Sequence, residues 1–184
     1  MKMMLSLLLT LMLLAVPALP ALAEYGWEGD LFWLYDADIA FAVPEGAVAA
    51  GDEELAAMND ADPTGPQAIF MVQDPATRLS CTVALKAFDS PASIPEFLGG
   101  YIDYMAVRYR INPSAITREV SPFFGIQALF YTGPFTSSGL NMLCISYLID
   151  VGTNVYTITL GTSFVNETVF DTFLAQLYAP MHAK

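Results

Sequence analysis

Residues 140–162 read LNMLCISYLIDVGTNVYTITLGT. Large apolar side chains fall at every second position in both halves of this stretch: Leu143, Ile145, Tyr147 and Ile149, then Tyr156, Ile158 and Leu160. Such alternation is typical of half-buried β-strands, and Gly152 lies between the two halves, where a turn residue with positive φ is needed. We therefore predict a long hairpin whose apolar face the rest of the chain must cover.

The N-terminus has the pattern of a secretory signal peptide. Lys2 is followed by an apolar run from Met3 to Val16, and the run ends in prolines and Ala21-Leu22-Ala23. A membrane anchor is the alternative, but the run is short and its Pro-Ala end suits a signal peptidase better than a helix in lipid. We expect cleavage after Ala23, a single domain over residues 24–184, no stable membrane span after cleavage, and a secreted or periplasmic (extracytoplasmic) location.

The charge distribution narrows the choice of partners. The formal net charge is −12, and residues 24–77 carry twelve Asp and Glu side chains and no Lys or Arg. A field of this sign repels nucleic acid and anionic membrane surfaces. We therefore expect no nucleic-acid partner, whereas a protein or an envelope component is compatible with the charge.

The spacing of apolar residues and turn residues predicts a mixed order of strands and helices. Strands are predicted at 39–43, 69–73, 79–86, 116–121 and 126–132, with a short helix at 53–58, and Gly133-Pro134 is expected to open a loop. A longer helix should follow the capping box of Ser93 and Glu96 and present Leu98 to Tyr109 on one face. A last helix, capped by Asn166, should bury the stripe Phe170, Phe173, Leu174 and Leu177.

This order of elements, together with the segment YDADIAFAVPEG at residues 35–46, resembles the PsbP-like superfamily. That superfamily includes the photosystem extrinsic protein, the Mog-type Ran-binding proteins and many exported bacterial proteins. The resemblance implies an α+β fold of one domain, in which an antiparallel sheet of about six to seven strands is flanked by helices as an α/β/α sandwich. It also implies protein-binding or accessory roles rather than a shared catalytic activity. No site residue of the family can be matched to a position of this chain.

Few residues offer catalytic chemistry. The only histidine, His182, is the third residue from the C-terminus, and no nucleophile elbow, phosphate loop or zinc motif occurs. Carboxylates alone can hydrolyse glycosides, and the candidate groups are Asp36 with Asp38, and Asp52 with Glu53 and Glu54. Calcium could use 36–38 or 60–62, but neither segment has a complete binding-loop signature. We therefore expect no catalytic residue, no metal and no cofactor.

The two cysteines, Cys81 and Cys144, leave two outcomes open. Export permits a disulfide, which would close a long loop and contribute roughly 4 kcal/mol in the chain-entropy model. Cys81 alternates with Leu79 and Val83, however, whereas Cys144 alternates with less apolar residues. Two buried free thiols are the alternative to the bond.

Aromatic residues crowd the start of the predicted mature chain: Tyr25, Trp27, Phe32 and Trp33. These rings either fold back onto the sheet or form a partner-binding surface with an acidic rim. We expect an exported, non-catalytic binding or accessory module; the alternative is a small hydrolase that uses carboxylates of the acidic N-terminal third.

Overall fold

The computed structural model describes residues 24–89, 97, 99–103, 107, 112–123, 126–137, 140–162 and 167–178. The predicted signal peptide, the capping box at Ser93, the cap at Asn166 and His182 lie outside these residues. The described strands form two antiparallel sheets, and the fold is α+β, as predicted.

The larger sheet has seven strands in the order β4-β5-β6-β10-β9-β8-β7. These strands are β4 Val48–Ala49, β5 Gln67–Asp74, β6 Leu79–Ala87, β7 Thr117–Phe123, β8 Ile126–Ser137, β9 Leu140–Val151 and β10 Asn154–Thr162. The predicted hairpin is β9-β10, with Gly152 at φ 61° in its turn and Tyr156 opposite Ile149. It lies near the middle of the sheet because β10 pairs with β6 and β9 pairs with β8.

One prediction about this sheet was wrong. Gly133 and Pro134 do not open a loop, because β8 continues through them to Ser137 and pairs with β9 along the way. The pairing of β7 with β8 ends at Thr132, so the backbone of Pro134 has a neighbouring strand on one side only. Proline lacks a backbone N–H and is tolerated where a strand has such an open side.

The smaller sheet has three strands, β1 Tyr25–Glu28, β2 Leu31–Leu34 and β3 Ile39–Ala42, in that order. One of its faces packs on the larger sheet together with the C-terminal helix α3, Glu167–Leu177. Between them lies the main core, which includes Phe41, Phe70, Ile158, Phe173 and Leu177, all at most 5% exposed. Phe173 and Leu177 belong to the predicted stripe of α3.

The other face of the larger sheet is covered by the middle helix α2, of which residues 97, 99–103 and 107 are described. Ile102 of α2 packs with Leu148 and Val155, and all three are buried. The central strands β9 and β10 are thus covered on both faces, and Thr157, which shares the second face, is 1% exposed.

The first helix, α1, spans Asp52–Asp60 and buries none of its side chains. It is fixed to the sheet by Asn59, whose side chain accepts the N–H of Ala68 at 2.7 Å and donates to the carbonyl of Ala68 at 3.0 Å. A neighbouring strand would make the same pair of hydrogen bonds to Ala68. Because β4 is only two residues long and pairs with β5 at Gln73 and Val72, the Asn59 side chain satisfies the backbone of Ala68 that β4 does not reach.

Candidate functional site

The predicted aromatic set lies on the β1-β2 hairpin of the smaller sheet. Gly29 occupies the turn with φ 62°, and the pairing sets Trp27 opposite Phe32 and Gly26 opposite Trp33. Since side chains alternate between the faces of a strand, the four predicted residues divide into two groups. Tyr25, Trp27 and Phe32 share the face that packs on the larger sheet, and Trp33 lies on the opposite, outer face.

Phe32 is part of the core and not of a binding surface, which corrects the prediction for this residue. It is 3% exposed, and its ring stacks on Phe70 with a centroid distance of 4.9 Å. Phe70 also contacts Phe41 of β3 at 5.7 Å. The stack therefore joins the two sheets, so Phe32 is not accessible to a partner.

Tyr25 and Trp27 lie at the margin of this core. Trp27 is 51% exposed and contacts Phe32 at 5.5 Å and Phe70 at 5.8 Å, edge-on in both cases. Tyr25 is 36% exposed and contacts Phe32 at 6.0 Å. Each of the two rings therefore rests on the core and leaves a large part of its surface exposed.

The outer face of the small sheet carries a second aromatic pair, Trp33 and Tyr35. Their rings are nearly parallel, with an interplanar angle of 3° and a centroid distance of 6.4 Å. Tyr35 is 44% exposed and Trp33 is half-buried. Tyr35 was missing from the predicted set, although its position two residues after Trp33 is the signal that places both rings on one face.

Gly26 and Ala40 flank Trp33 on the neighbouring strands. A methyl group added at Gly26 would meet the ring of Tyr35 at 3.9 Å, which is an ordinary contact. The Tyr35 ring thus lies over Gly26, and Ala40 on the other side is covered, with 3% exposure.

Asp36 follows Tyr35 and ties the small sheet to the central hairpin. It accepts a hydrogen bond from the Tyr156 hydroxyl at 2.8 Å and one from the Asn154 side-chain amide at 3.3 Å. Burial raises the pKa of Tyr156 above its ordinary value, and the hydrogen bond to Asp36 and the charges of Asp36 and Glu24 raise it further. With both oxygens engaged, Asp36 is a structural residue.

The other predicted carboxylate candidates also have conformational roles. Asp38, the proposed partner of Asp36, has a φ of 53° in the turn before β3. Asp52, Glu53 and Glu54 form the first turn of α1, where negative charge is favourable near the positive end of the helix dipole. Of these carboxylates, Glu54 lines a small groove of about 110 Å³ beside β4, and that groove contains no second carboxylate.

One described groove does contain two carboxylates, and sequence reasoning did not find it. It has a volume of about 270 Å³ and is lined by Glu45, Asp74, Thr168, Val169, Thr172, Phe173 and Gln176. Hydrogen bonds from the Thr77 hydroxyl and from the backbone N–H groups of Ala76 and Thr77 lower the pKa of Asp74. Asp74 is therefore ionised at neutral pH, and it cannot supply the protonated acid that glycoside hydrolysis requires.

The cysteines occupy different rows of the sheet. Cys81 is a buried free thiol that shares a row with Leu160 and Ile145, whereas Cys144 belongs to the next row, with Gly161 and Ser80. Strand β10 separates the two strands, so their backbones lie about 10 Å apart. A disulfide needs a Cα separation below about 7 Å. The pairing of strands therefore favours the free thiols over the disulfide.

Within the described part of the chain, no three His, Cys, Asp or Glu side chains are grouped as a metal site would require. The candidate calcium segments at 36–38 and 60–62 accordingly carry no such group. Among the same residues, no helix is long and apolar enough to cross a membrane.

No protein-family model and no curated protein matches this sequence. Among solved structures, the chain is similar to the solution structure of cyanobacterial PsbP (CyanoP) from Synechocystis sp. PCC 6803. The two sequences are 12% identical, the match covers 78% of this chain and 88% of that chain, and the TM-score is 0.43. The chain thus has a weak resemblance of fold to this PsbP structure.

Proposed function

We propose that this protein is an exported, non-catalytic binding module that holds a partner protein or envelope component through its N-terminal three-stranded sheet. The observation that carries the proposal is the exposure of three aromatic rings within eleven residues: Tyr25 at 36%, Trp27 at 51% and Tyr35 at 44%. Aromatic side chains anchor interfaces because they bury a large area at little cost in conformational entropy. All three rings already contact other aromatic side chains of the protein, so partner binding would cost them little further side-chain entropy.

The poor supply of catalytic groups supports a binding role. Asp36 is engaged with Tyr156 and Asn154, and Asp74 is engaged with Thr77. The alternative, a carboxylate-dependent hydrolase, rests on the groove beside α3, where Glu45 is the remaining carboxylate. A glycosidase activity that is abolished by Glu45→Gln and kept by Trp27→Ala would favour that alternative.

Site-specific photo-crosslinking in the source cells tests the proposed binding surface. A photoreactive phenylalanine analogue replaces Trp27 in one variant and Tyr35 in a second. The control variant carries it at Met58, which is 38% exposed on α1, outside the three-stranded sheet. We expect one product of defined mass from positions 27 and 35 and none from position 58. No product, or the same product from all three positions, would contradict a binding role for this sheet.

Export is tested on the same cells by N-terminal sequencing of the secreted or periplasmic fraction. We expect the mature chain to begin at Glu24. A protein that retains residues 3–16 would show that the segment is an anchor, and the partner would then have to be sought at a membrane surface.

A further inference from the structure

The outer face of the small sheet has a chemical character that points to one class of partner. Strand positions alternate between faces, so Glu24, Gly26 and Glu28 of the first strand region lie on the same side as Trp33. Glu28 is in one row with Leu31 and Ala42, and Gly26 is in the next row with Trp33 and Ala40. The carboxylates thus flank the aromatic rings, and the position between them carries no side chain.

The charges on this face are of one sign. Asp38 lies in the adjoining turn, and no Lys or Arg occurs from residue 24 to residue 77. Among the described residues, the carboxylates of Glu24, Glu28 and Asp38 have no ion-pair partner. A cation would be attracted both by the faces of the Trp33 and Tyr35 rings and by the neighbouring carboxylates.

We propose that this face binds an arginine-bearing, cationic segment of the partner, with a guanidinium lying on the Trp33 and Tyr35 rings and the Glu24 and Glu28 carboxylates beside it. This inference rests on the proposed function and names the partner's chemistry. A guanidinium suits the face better than a lysine ammonium because it is planar and weakly hydrated, so it stacks on aromatic rings while its N–H groups reach carboxylates. Tyr35, which is 44% exposed, offers an open ring surface beside the parallel ring of Trp33.

The two tryptophans supply a direct readout, because they lie on opposite faces of the same small sheet. The chain contains only Trp27 and Trp33, so an amide spectrum of the mature protein shows two indole N–H signals. The signals are assigned with Trp27→Phe. The probe is a short glycine-spaced arginine peptide, and the matched control peptide replaces each arginine by citrulline, which has nearly the same shape and no charge.

We expect a saturable shift of the Trp33 indole signal with the arginine peptide and little change with the citrulline peptide. Tyr35→Ala should weaken binding by a factor of about two to five, as the loss of one exposed cation–π contact implies. The double variant Glu24→Gln with Glu28→Gln should weaken it at least as much. The control, Glu53→Gln with Glu54→Gln on α1, removes the same charge elsewhere and should leave the affinity nearly unchanged.

The inference would be overturned by an unmoved Trp33 signal, by equal shifts with the citrulline peptide, or by equal losses in the two glutamine pairs. A shift caused by a neutral oligosaccharide alone would assign the face to sugars, and a shift caused by protein concentration alone would assign it to a second copy of the chain. Either result would overturn the cationic partner. Crosslinking at positions 27 and 35 would still stand in these cases, so the proposed binding role is judged separately.

Discussion

At the scale of single residues, the hydrogen bond between Tyr156 and Asp36 links the start of the chain to its central hairpin. The Tyr156 side chain is fully buried, and its hydroxyl donates to Asp36 at 2.8 Å. We expect Tyr156→Phe to lower the free energy of unfolding by about 2 kcal/mol, because a hydrogen bond to a charged acceptor is lost. Urea titration measures this change. Tyr35→Phe is the control. An equal loss of stability in this variant would show that the hydrogen bond to Asp36 does not stabilise the fold more than an exposed tyrosine hydroxyl does.

Asn59 is the second residue whose role depends on its exact side chain. It satisfies both the N–H and the carbonyl of Ala68 at the edge of β5. We expect Asn59→Ala to cost about 1–3 kcal/mol and to speed hydrogen exchange at the Ala68 amide, because that backbone loses both partners. Asn59→Asp keeps the acceptor and should protect the amide better than alanine does. Met58→Ala, which changes an exposed neighbour, should affect neither quantity; unchanged exchange in Asn59→Ala would refute the role.

At the scale of elements, strand β10 is buried on both of its faces. Ile158 faces the main core and is fully buried, and Thr157 faces α2 with 1% exposure. The Thr157 hydroxyl has no hydrogen-bond partner among the described residues, whereas the Thr159 hydroxyl bonds to Ser146 at 2.9 Å. Two threonines on one face of one strand therefore differ in a way that substitution can measure.

We expect Thr157→Val to stabilise the protein by about 1 kcal/mol, since it replaces an unsatisfied buried hydroxyl with a methyl group of similar size. Thr159→Val should destabilise it by about the same amount, because it leaves Ser146 without this bond. Thermal and urea unfolding of the two variants give both signs. A loss of stability in both would mean that the Thr157 hydroxyl has a hydrogen-bond partner in solution.

Thr157→Asp should lower the free energy of unfolding as much as Ile158→Asp does, because neither face of β10 is solvated.

At the scale of the whole molecule, the main core between the two sheets and α3 buries groups that stay neutral in the folded state. Burial raises the pKa of the Cys81 thiol and is also the main cause of the raised pKa of Tyr156 and Tyr178. Below about pH 8 the thiol and the phenols hold their protons in both states, so these groups give no pH dependence there. At higher pH the unfolded chain releases protons that the folded chain keeps, and the free energy of unfolding must fall.

We therefore expect a flat stability profile near neutral pH and a decline that begins at about pH 8.5, where a free thiol ionises, and steepens near pH 10, where free phenols ionise. Urea titrations between pH 7 and pH 11 measure the profile. In Cys81→Ala, taken relative to its own value at pH 7, the onset should move toward pH 10. An unchanged onset in this variant would show that the thiol makes no contribution to the decline.

The sequence determined the elements whose signals are local. The alternation around Ile145 and Ile158 defined the central hairpin, and the apolar stripe of Phe173 and Leu177 defined the inner face of α3. Composition alone determined the acidic field of residues 24–77. The order of these elements was sufficient to suggest the fold class and the PsbP-like resemblance.

Only the tertiary structure decided which of the aromatic residues are accessible. Phe32 and Trp33 are neighbours of similar character in the sequence, yet Phe70, a residue of another strand, covers one and not the other. In the same way, Asp36 became a structural residue only because Tyr156 and Asn154 lie against it, 118 to 120 positions away in the chain. Accessibility and hydrogen-bond partners depend on contacts between distant segments, and local periodicity carries no information about those contacts.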